Sequence, residues 1–146
     1  MHAHSVFMDT SALFSGVWSS QGGARMLMRL GEENLVQLAV TSQVLLELER
    51  TLKDKAPAAL PALAQLLDCA HIEVVAAVSE EYVTRCAQLV AYQADAQIVA
   101  AAWQAGVAFF ATLDKQHILE NTALRTAAPF TIGTPGDCLL WFRARL

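Results

Sequence analysis

The sequence predicts an α/β fold built on a parallel β-sheet, and two local patterns and the composition point to it. After Asp95, apolar residues recur at helical spacing, and Gly106 stands where a helix commonly ends in a left-handed residue. Residues 107–111 follow as an apolar run without a polar face, which is typical of a strand covered on both sides. With 55% hydrophobic and 16% charged residues, the chain has enough apolar surface for a sheet buried between helices.

In the N-terminal half, caps and breaks delimit the expected elements. The first apolar run ends at Asp9, and the hydroxyl of Thr10 or Ser11 can cap the helix that follows. Gly22 and Gly23 interrupt this helix, and a turn over 31–34 precedes the next strand. The expected elements are a strand over 5–8, helices over 12–20 and 24–30, a strand over 35–40, and helices over 42–55 and 58–69.

The C-terminal half has two marked helix starts. Ser79 supplies a capping hydroxyl followed by acids in the first turn, and Thr134 and Pro135 precede the acid Asp137 in a capping-box pattern. Capping therefore accounts for Asp137 without a further role. The expected elements are a strand over 71–77, a helix over 79–92, the helix and strand on either side of Gly106, a helix over 115–124, a strand over 128–133 and a helix over 135–146.

Length, hydropathy, cysteine spacing and net charge limit the classes of protein to which this chain can belong. At 146 residues the chain is expected to form one domain over 1–146, and no apolar run approaches the length of about 18 residues that a membrane span needs. A signal peptide is not expected. Cys69, Cys86 and Cys138 are far apart in the sequence and odd in number, so we expect them to be reduced core cysteines of a cytoplasmic protein. The net charge of −4 argues against a surface built wholly for nucleic acid but leaves room for a local basic rim.

Four acids stand at element ends or on a buried helix face, and they are Asp9, Glu47, Asp95 and Asp114. Asp9 is open to two interpretations, a helix cap worth about 1 kcal/mol or a carboxylate that faces Asp114 beyond the strand ends, where ligands bind in open parallel sheets. Glu47 lies beside the apolar stripe of its helix, whereas Glu49 precedes Lys53 by four residues, the spacing of a surface ion pair.

Four carboxylates in one pocket repel one another unless a cation lies among them. Magnesium and manganese prefer oxygen ligands, and a site of acids without histidine or cysteine suits these ions rather than zinc. Such a site can activate water and neutralise charge on a phosphodiester, with one ion or two. Ser11 and Thr112 are nearby hydroxyls that can hold a water or a phosphate oxygen.

Three segments resemble the PIN domain, in particular its stand-alone prokaryotic branch that includes VapC-like toxins. They are 6–11 with Asp9, 42–52 around Glu47, and 95–114 ending in Thr-Leu-Asp, and the late Thr134–Pro135 helix start extends the resemblance over nearly the whole chain. It implies a Rossmann-like three-layer α/β/α sandwich with about five parallel strands. It also implies a Mg²⁺- or Mn²⁺-dependent endoribonuclease that is a homodimer and is inhibited by a small antitoxin protein.

By position, Asp9, Glu47, Asp95 and Asp114 match the four catalytic, metal-binding acids of the family, and Thr112 matches the polar residue before the last acid. Two residues depart from the family pattern. Ser11 stands where many members carry Asn, which keeps a hydrogen-bonding side chain. Gln116 stands where some members have one more acid, so a second metal ion is expected to bind weakly.

RNA contacts are expected from basic and aromatic side chains, although scattered basic residues are more often only solvated surface. Trp18 is a candidate platform for an unpaired base, or else a core or interface residue. The basic candidates are Arg25, Arg29, Lys53, Lys55, Lys115, Arg143 and Arg145.

Three functions remain open at this point. The chain is the toxin of a toxin–antitoxin pair, a housekeeping nuclease of RNA processing, or a PIN-like scaffold that binds RNA or protein without cutting. The presence of all four acids argues against the scaffold. A receiver or phosphatase-like domain would need an Asp-x-Asp pair, which Asp9-Thr10-Ser11 does not supply.

Overall fold

Five parallel strands form one sheet in the order β3-β2-β1-β4-β5. The computed structural model describes residues 3–145. Its strands are β1 (Ser5–Met8), β2 (Gln37–Val40), β3 (Glu73–Val74), β4 (Phe109–Ala111) and β5 (Thr131–Gly133). Helices cover both faces of this sheet, which confirms the predicted three-layer α/β/α class.

The helices alternate with the strands along the chain, as crossover connections between parallel strands require. They are α1 (Thr10–Trp18), α2 (Gly23–Glu32), α3 (Ser42–Lys55), α4 (Leu60–Cys69), α5 (Glu80–Ala87), α6 (Gln93–Ala105), α7 (Thr122–Ala127) and α8 (Pro135–Arg143). Within residues 3–145, none of them combines the length and the hydropathy that crossing a membrane takes.

The central strands are buried on both faces because their side chains are apolar throughout. Phe7 of β1 pairs in register with Phe110 of β4, and their rings stack with centroids 5.3 Å apart. Burying one such side chain stabilises the fold by about 1.5–3 kcal/mol. Gly106 ends α6 at φ 71°, the left-handed cap that the sequence predicts.

The strand order reverses between β1 and β4, which positions the functional site. In the strand order, β2 and β3 lie on one side of β1, and the chain then crosses back so that β4 and β5 lie on its other side. At such a switch point the flanking connections diverge and leave a crevice beyond the carboxyl ends of the strands. Asp9 and Asp114 follow these two strands.

Several predicted boundaries are wrong at the sheet edge and at helix ends. The strand expected over 71–77 is only Glu73–Val74, and both residues are exposed. It is short because β3 lies at the edge of the sheet and pairs with β2 alone. The helix expected to reach 92 ends at Ala87. The side chain of Ser79 does not cap it, and the Ser79 N–H instead donates to Gln104 Oε1 at 2.8 Å.

The helix expected over 115–124 is divided in two. A single π-helical turn, Lys115–Leu119, follows Asp114, and α7 starts afresh with its own cap, where Asn121 Oδ1 accepts from the Leu124 N–H at 3.0 Å. A continuous helix would leave this side-chain cap unmade.

Of the three cysteines, all are free, and Cys86 and Cys138 are buried as expected. Cys69 is exposed, which corrects its assignment to the core. Burial raises the pKa of the Cys86 thiol to about 11, so this thiol stays protonated and unreactive.

Candidate active site

Asp9 is both a helix cap and a carboxylate at the rim of the sheet. Its N–H extends the β1–β4 ladder by donating to the Ala111 carbonyl at 3.3 Å. Its Oδ1 accepts from the Ala12 N–H at 3.0 Å and from the Ser11 hydroxyl at 2.7 Å, and its Oδ2 accepts from the Thr112 hydroxyl. Asp9 itself therefore caps α1, and neither of the two hydroxyls proposed for that task does so.

The hydroxyls of Ser11 and Thr112 join the ends of β1 and β4. Thr112 Oγ1 donates to Asp9 and accepts from the Asp114 N–H at 3.0 Å. Ser11 Oγ donates to Asp9 and accepts from the Leu113 N–H at 2.9 Å. The carboxylate after β1 is thus held in a set position relative to the backbone that carries Asp114.

Glu47 is half-buried on α3 and is oriented by side chains from its own helix and from α1. Its Oε2 accepts from the Thr10 hydroxyl at 2.6 Å, and its Oε1 accepts from the Gln43 amide at 3.2 Å. Gln43 also donates to the Ala94 carbonyl at 3.3 Å, next to Asp95 on α6. By contrast, Glu49 pairs with Lys53 at 3.6 Å on the surface, as its spacing predicts.

Asp95 and Asp114 converge on His117, a histidine that no pattern in the sequence singles out. Asp95 lies in the first turn of α6, which begins at Gln93, two residues before the predicted start. The Nδ1 atom of His117 is 3.1 Å from Asp114 Oδ2 and 3.6 Å from Asp95 Oδ2. Each of the three side chains offers a ligand atom within 4.8 Å of the other two.

Local structure turns His117 toward the acids. Its backbone N–H donates to Asp114 Oδ1 at 3.1 Å, so Asp114 caps the π-helical turn that carries the histidine. The ring of Tyr92 packs against the His117 ring with centroids 4.4 Å apart. The only signal in the sequence was a histidine three residues after the last acid, and its meaning depends on a turn that a normal α-helical pattern does not predict.

The carboxylates of the site perturb one another. The pKa of Asp9 is raised, first because the group is buried and further by the charge of Asp114, although hydrogen bonds from Thr112, Ala12 and Ser11 oppose the shift. The pKa of Asp95 is also raised, first by burial and then by Asp114 and Glu47, against the opposing effect of His117. These carboxyl groups hold protons more readily than ordinary ones unless a cation compensates their charge.

The donor set fits a divalent cation. Carboxylate oxygens from separate elements, with one imidazole nitrogen beside them, match ions that accept oxygen or mixed oxygen and nitrogen ligands. Asp95, Asp114 and His117 form a compact group of possible ligands among residues 3–145, and Asp9 and Glu47 lie outside this group.

All four acids line one cavity of about 550 Å³. Apolar side chains, among them Phe14 and Trp18 of α1, also line this cavity, and so does Lys55. The Trp18 side chain is 61% exposed, and its ring lies parallel to that of Phe14 with centroids 6.1 Å apart. Trp18 is therefore accessible from the cavity rather than part of the core.

The basic candidates differ in whether they line this cavity. Arg25 donates to the Gly16 carbonyl at 2.6 Å and Arg29 to the Ser20 carbonyl at 3.5 Å, so both guanidinium groups are engaged at the end of α1. Among the residues that the structure describes, Lys55 lines the cavity, while Arg25, Arg29, Lys53, Lys115, Arg143 and Arg145 do not. Their contacts with RNA stay predictions.

Comparison with protein-family models matches residues 5–116 to the model described as PIN domain. Among solved structures, the chain is similar to one described as the crystal structure of VapBC2 from Rickettsia felis bound to a DNA fragment from their promoter. The TM-score is 0.67 at 14% identity, with 89% of this chain and 98% of that chain covered, so the likeness is one of fold. No curated protein matches the chain.

Proposed function

The chain belongs to the PIN domain family, and we propose that it is a divalent-metal-dependent endoribonuclease that hydrolyses RNA phosphodiester bonds. One observation carries the proposal. Asp9, Glu47, Asp95 and Asp114 come from four separate elements and line one cavity at the switch point of the sheet. A binding module has no need to gather negative charge where nucleic acid must approach.

In this proposal the four acids bind Mg²⁺ or Mn²⁺, and neighbouring hydroxyl groups orient two of these acids. When bound, the ion lowers the pKa of water and neutralises charge on the phosphodiester. Ser11 and Thr112 fix the orientation of Asp9, and Thr10 fixes that of Glu47. The chain thus keeps its carboxylates in place before substrate binds, which is the preorganisation that metal-assisted hydrolysis needs.

We propose single-stranded RNA as the substrate. The exposed Trp18 ring shares the cavity with the acids, and unpaired bases stack on such rings. Lys55 lines the same cavity and suits a neighbouring phosphate. Arg25 and Arg29 donate to backbone carbonyls, so they are less available than Lys55 for this purpose.

We also propose that the protein acts in the cytoplasm as the toxin of a toxin–antitoxin pair, as a homodimer inhibited by a small antitoxin. The support is the resemblance to VapC-like chains, together with a fold similar to that of a protein described as VapBC2. A housekeeping nuclease would have the same site, so this second candidate differs in partner and not in chemistry. Growth arrest on expression, relieved by a gene from the same operon, would favour the toxin.

The central test is incubation of the purified protein with a mixed pool of single-stranded RNA and Mn²⁺, with and without a chelator. We expect internal cleavage with the ion and none with the chelator. Asp114→Asn, which keeps a similar volume, is the matched control and is expected to be inactive. Cleavage that persists in the chelator or in this variant would contradict the proposed function, because contaminating or metal-independent nuclease would then be responsible.

A further inference from the structure

The compact group of the site contains one nitrogen donor beside two carboxylates. We propose that His117 binds the metal ion directly through Nδ1, and that this ligand makes the site prefer Mn²⁺ and later first-row ions over Mg²⁺. The inference rests on the proposed metal site, but it concerns a residue outside the four acids and predicts a metal preference that those acids alone do not.

The distances around Nδ1 also suit a metal ligand. Nδ1 is 3.1 Å from Asp114 Oδ2, as in a hydrogen bond, but 3.6 Å from Asp95 Oδ2, which is beyond hydrogen-bond length. Neighbouring ligands of an octahedral ion, each bound at about 2.1 Å, lie about 3.0 Å apart. One nitrogen that faces two carboxylates at once is therefore arranged as a third vertex around a common cation.

The histidine is held in this position by its surroundings. It lies in the π-helical turn Lys115–Leu119, a rare element that occurs frequently at functional sites. Its backbone N–H is tied to Asp114 Oδ1, and Tyr92 packs against its ring. The ring therefore presents Nδ1 to both Asp95 and Asp114.

An imidazole ligand discriminates between metals. Mg²⁺ takes oxygen ligands almost exclusively and retains its waters, whereas Mn²⁺, Co²⁺ and Zn²⁺ accept imidazole nitrogen. The same turn offers Gln116 in place of a further acid, so His117 is the donor that it presents to Asp95 and Asp114. If His117 only oriented Asp114 through a hydrogen bond, its loss would weaken all divalent ions alike.

Electron spin echo envelope modulation of the purified protein loaded with Mn²⁺ tests this directly. We expect the coupling of a directly bound ¹⁴N nucleus, replaced by a ¹⁵N pattern when only histidine is isotopically labelled. The coupling should vanish in His117→Gln, which keeps an amide donor, and persist in His71→Asn, a control at an exposed position with positive φ that Asn tolerates. The labelling needs no variant, so it does not depend on how His117→Gln folds.

Metal titration by calorimetry provides the second measurement. We expect His117→Gln to weaken Mn²⁺ binding by at least about tenfold and to leave Mg²⁺ binding nearly unchanged. Bound Mn²⁺ without nitrogen coupling, or equal losses for both ions, would overturn the inference. If the protein then still cleaves RNA with Mn²⁺, the proposed function stands alone; if it binds no divalent ion at all, both proposals fail.

Discussion

Two corners of the molecule have the same local construction and different surroundings. At the first, β1 leads into α1 and Asp9 caps the helix; at the second, β5 leads into α8. There Thr134 Oγ1 accepts from the Asp137 N–H, and Asp137 Oδ2 accepts from the Thr134 N–H, both at 3.0 Å. Each corner therefore sets an acid beside a helix N-terminus, where the dipole favours negative charge.

At the second corner, called the closed corner below, the backbone around the start of α8 is tightly packed. A Cβ added to Gly133 would lie 2.8 Å from Asp137 Cβ and 3.0 Å from the Phe109 ring, and one added to Gly23 would lie 2.8 Å from the Gly136 nitrogen. Asp137 is exposed and complete in its own capping box. The first corner, called the open corner below, lines the cavity. There Asp9 is buried, and the charge of Asp114 raises its pKa further. The capping motif does not decide function; the neighbouring strand ends do.

The largest expected contrast is between the two capping acids. Asp9→Asn should lower the RNA cleavage rate by more than about 100-fold, since loss of even an outer partner of a metal ligand costs about 10–100-fold. Asp137→Asn, the matched change at the closed corner, should leave the rate unchanged. Single-turnover cleavage assays with Mn²⁺ measure both. Comparable losses in the two variants would mean that the open corner is not the site.

The next contrast compares two exposed apolar side chains, Trp18 of α1 at 61% and Leu140 of α8 at 64% exposure. A base stacked on an aromatic ring contributes about 1–3 kcal/mol, so Trp18→Ala should raise KM for single-stranded RNA about 5–150-fold with little change in kcat. Leu140→Ala should change neither constant. Steady-state kinetics on single- and double-stranded RNA separate the effects, and an unaltered KM in Trp18→Ala would remove the proposed base platform.

Packing at the closed corner yields an effect on stability alone. Gly23→Ala brings a Cβ against the backbone of α8, and overpacking of this kind lowers the free energy of unfolding by about 1–3 kcal/mol. Gly136→Ala is the control, because its Cβ would meet only Thr134 Oγ1, at 3.7 Å. Chemical denaturation measures both variants. If Gly136→Ala proved the more destabilising, the corner would not be packed as described.

The smallest expected effect is a pH dependence of stability that comes from acids of the cavity. The pKa values of Asp9 and Asp95 are raised in the folded protein, so the folded state binds more protons than the unfolded state. Stability of the metal-free protein should therefore fall as the pH rises from the ordinary carboxyl value of 3.8 through the raised values.

Thermal melts across this range, with and without Mn²⁺, measure the trend. Saturating Mn²⁺ should reverse it, because the ion binds the ionised carboxylates. Asp9→Asn should flatten the curve of the metal-free protein, since one of the two responsible groups is gone, whereas Asp137→Asn should leave it as in the wild type. A wild-type curve that rises over the same range would contradict the assigned burial of Asp9.

Much of the fold follows from local signals. Apolar periodicity and caps place α3, α6 and α8 closely, because a helix start or end depends on residues within a few positions of it. The prediction fails where a neighbour decides instead. The edge position of β3 shortens that strand, and the side-chain cap at Asn121 divides the segment after Asp114.

The four acids could be proposed as site residues because element ends and a buried helix face are visible in the sequence. Their hydrogen-bond partners could not be predicted. The bond from Thr10 to Glu47 and the approach of His117 to Asp95 join residues that are distant along the chain or related by a π-helical turn. No periodic pattern predicts either contact.

By itself, the sequence determined the kinds of elements, their approximate order and which acids stand at their ends, since propensity, periodicity and capping act over short stretches of chain. Only the tertiary structure decided which of those ends meet. The order of strands in the sheet brings Asp9 beside Asp114 and leaves Asp137 at a closed corner. The reason is that contacts between distant segments depend on how the whole hydrophobic core packs, and no local pattern specifies that packing.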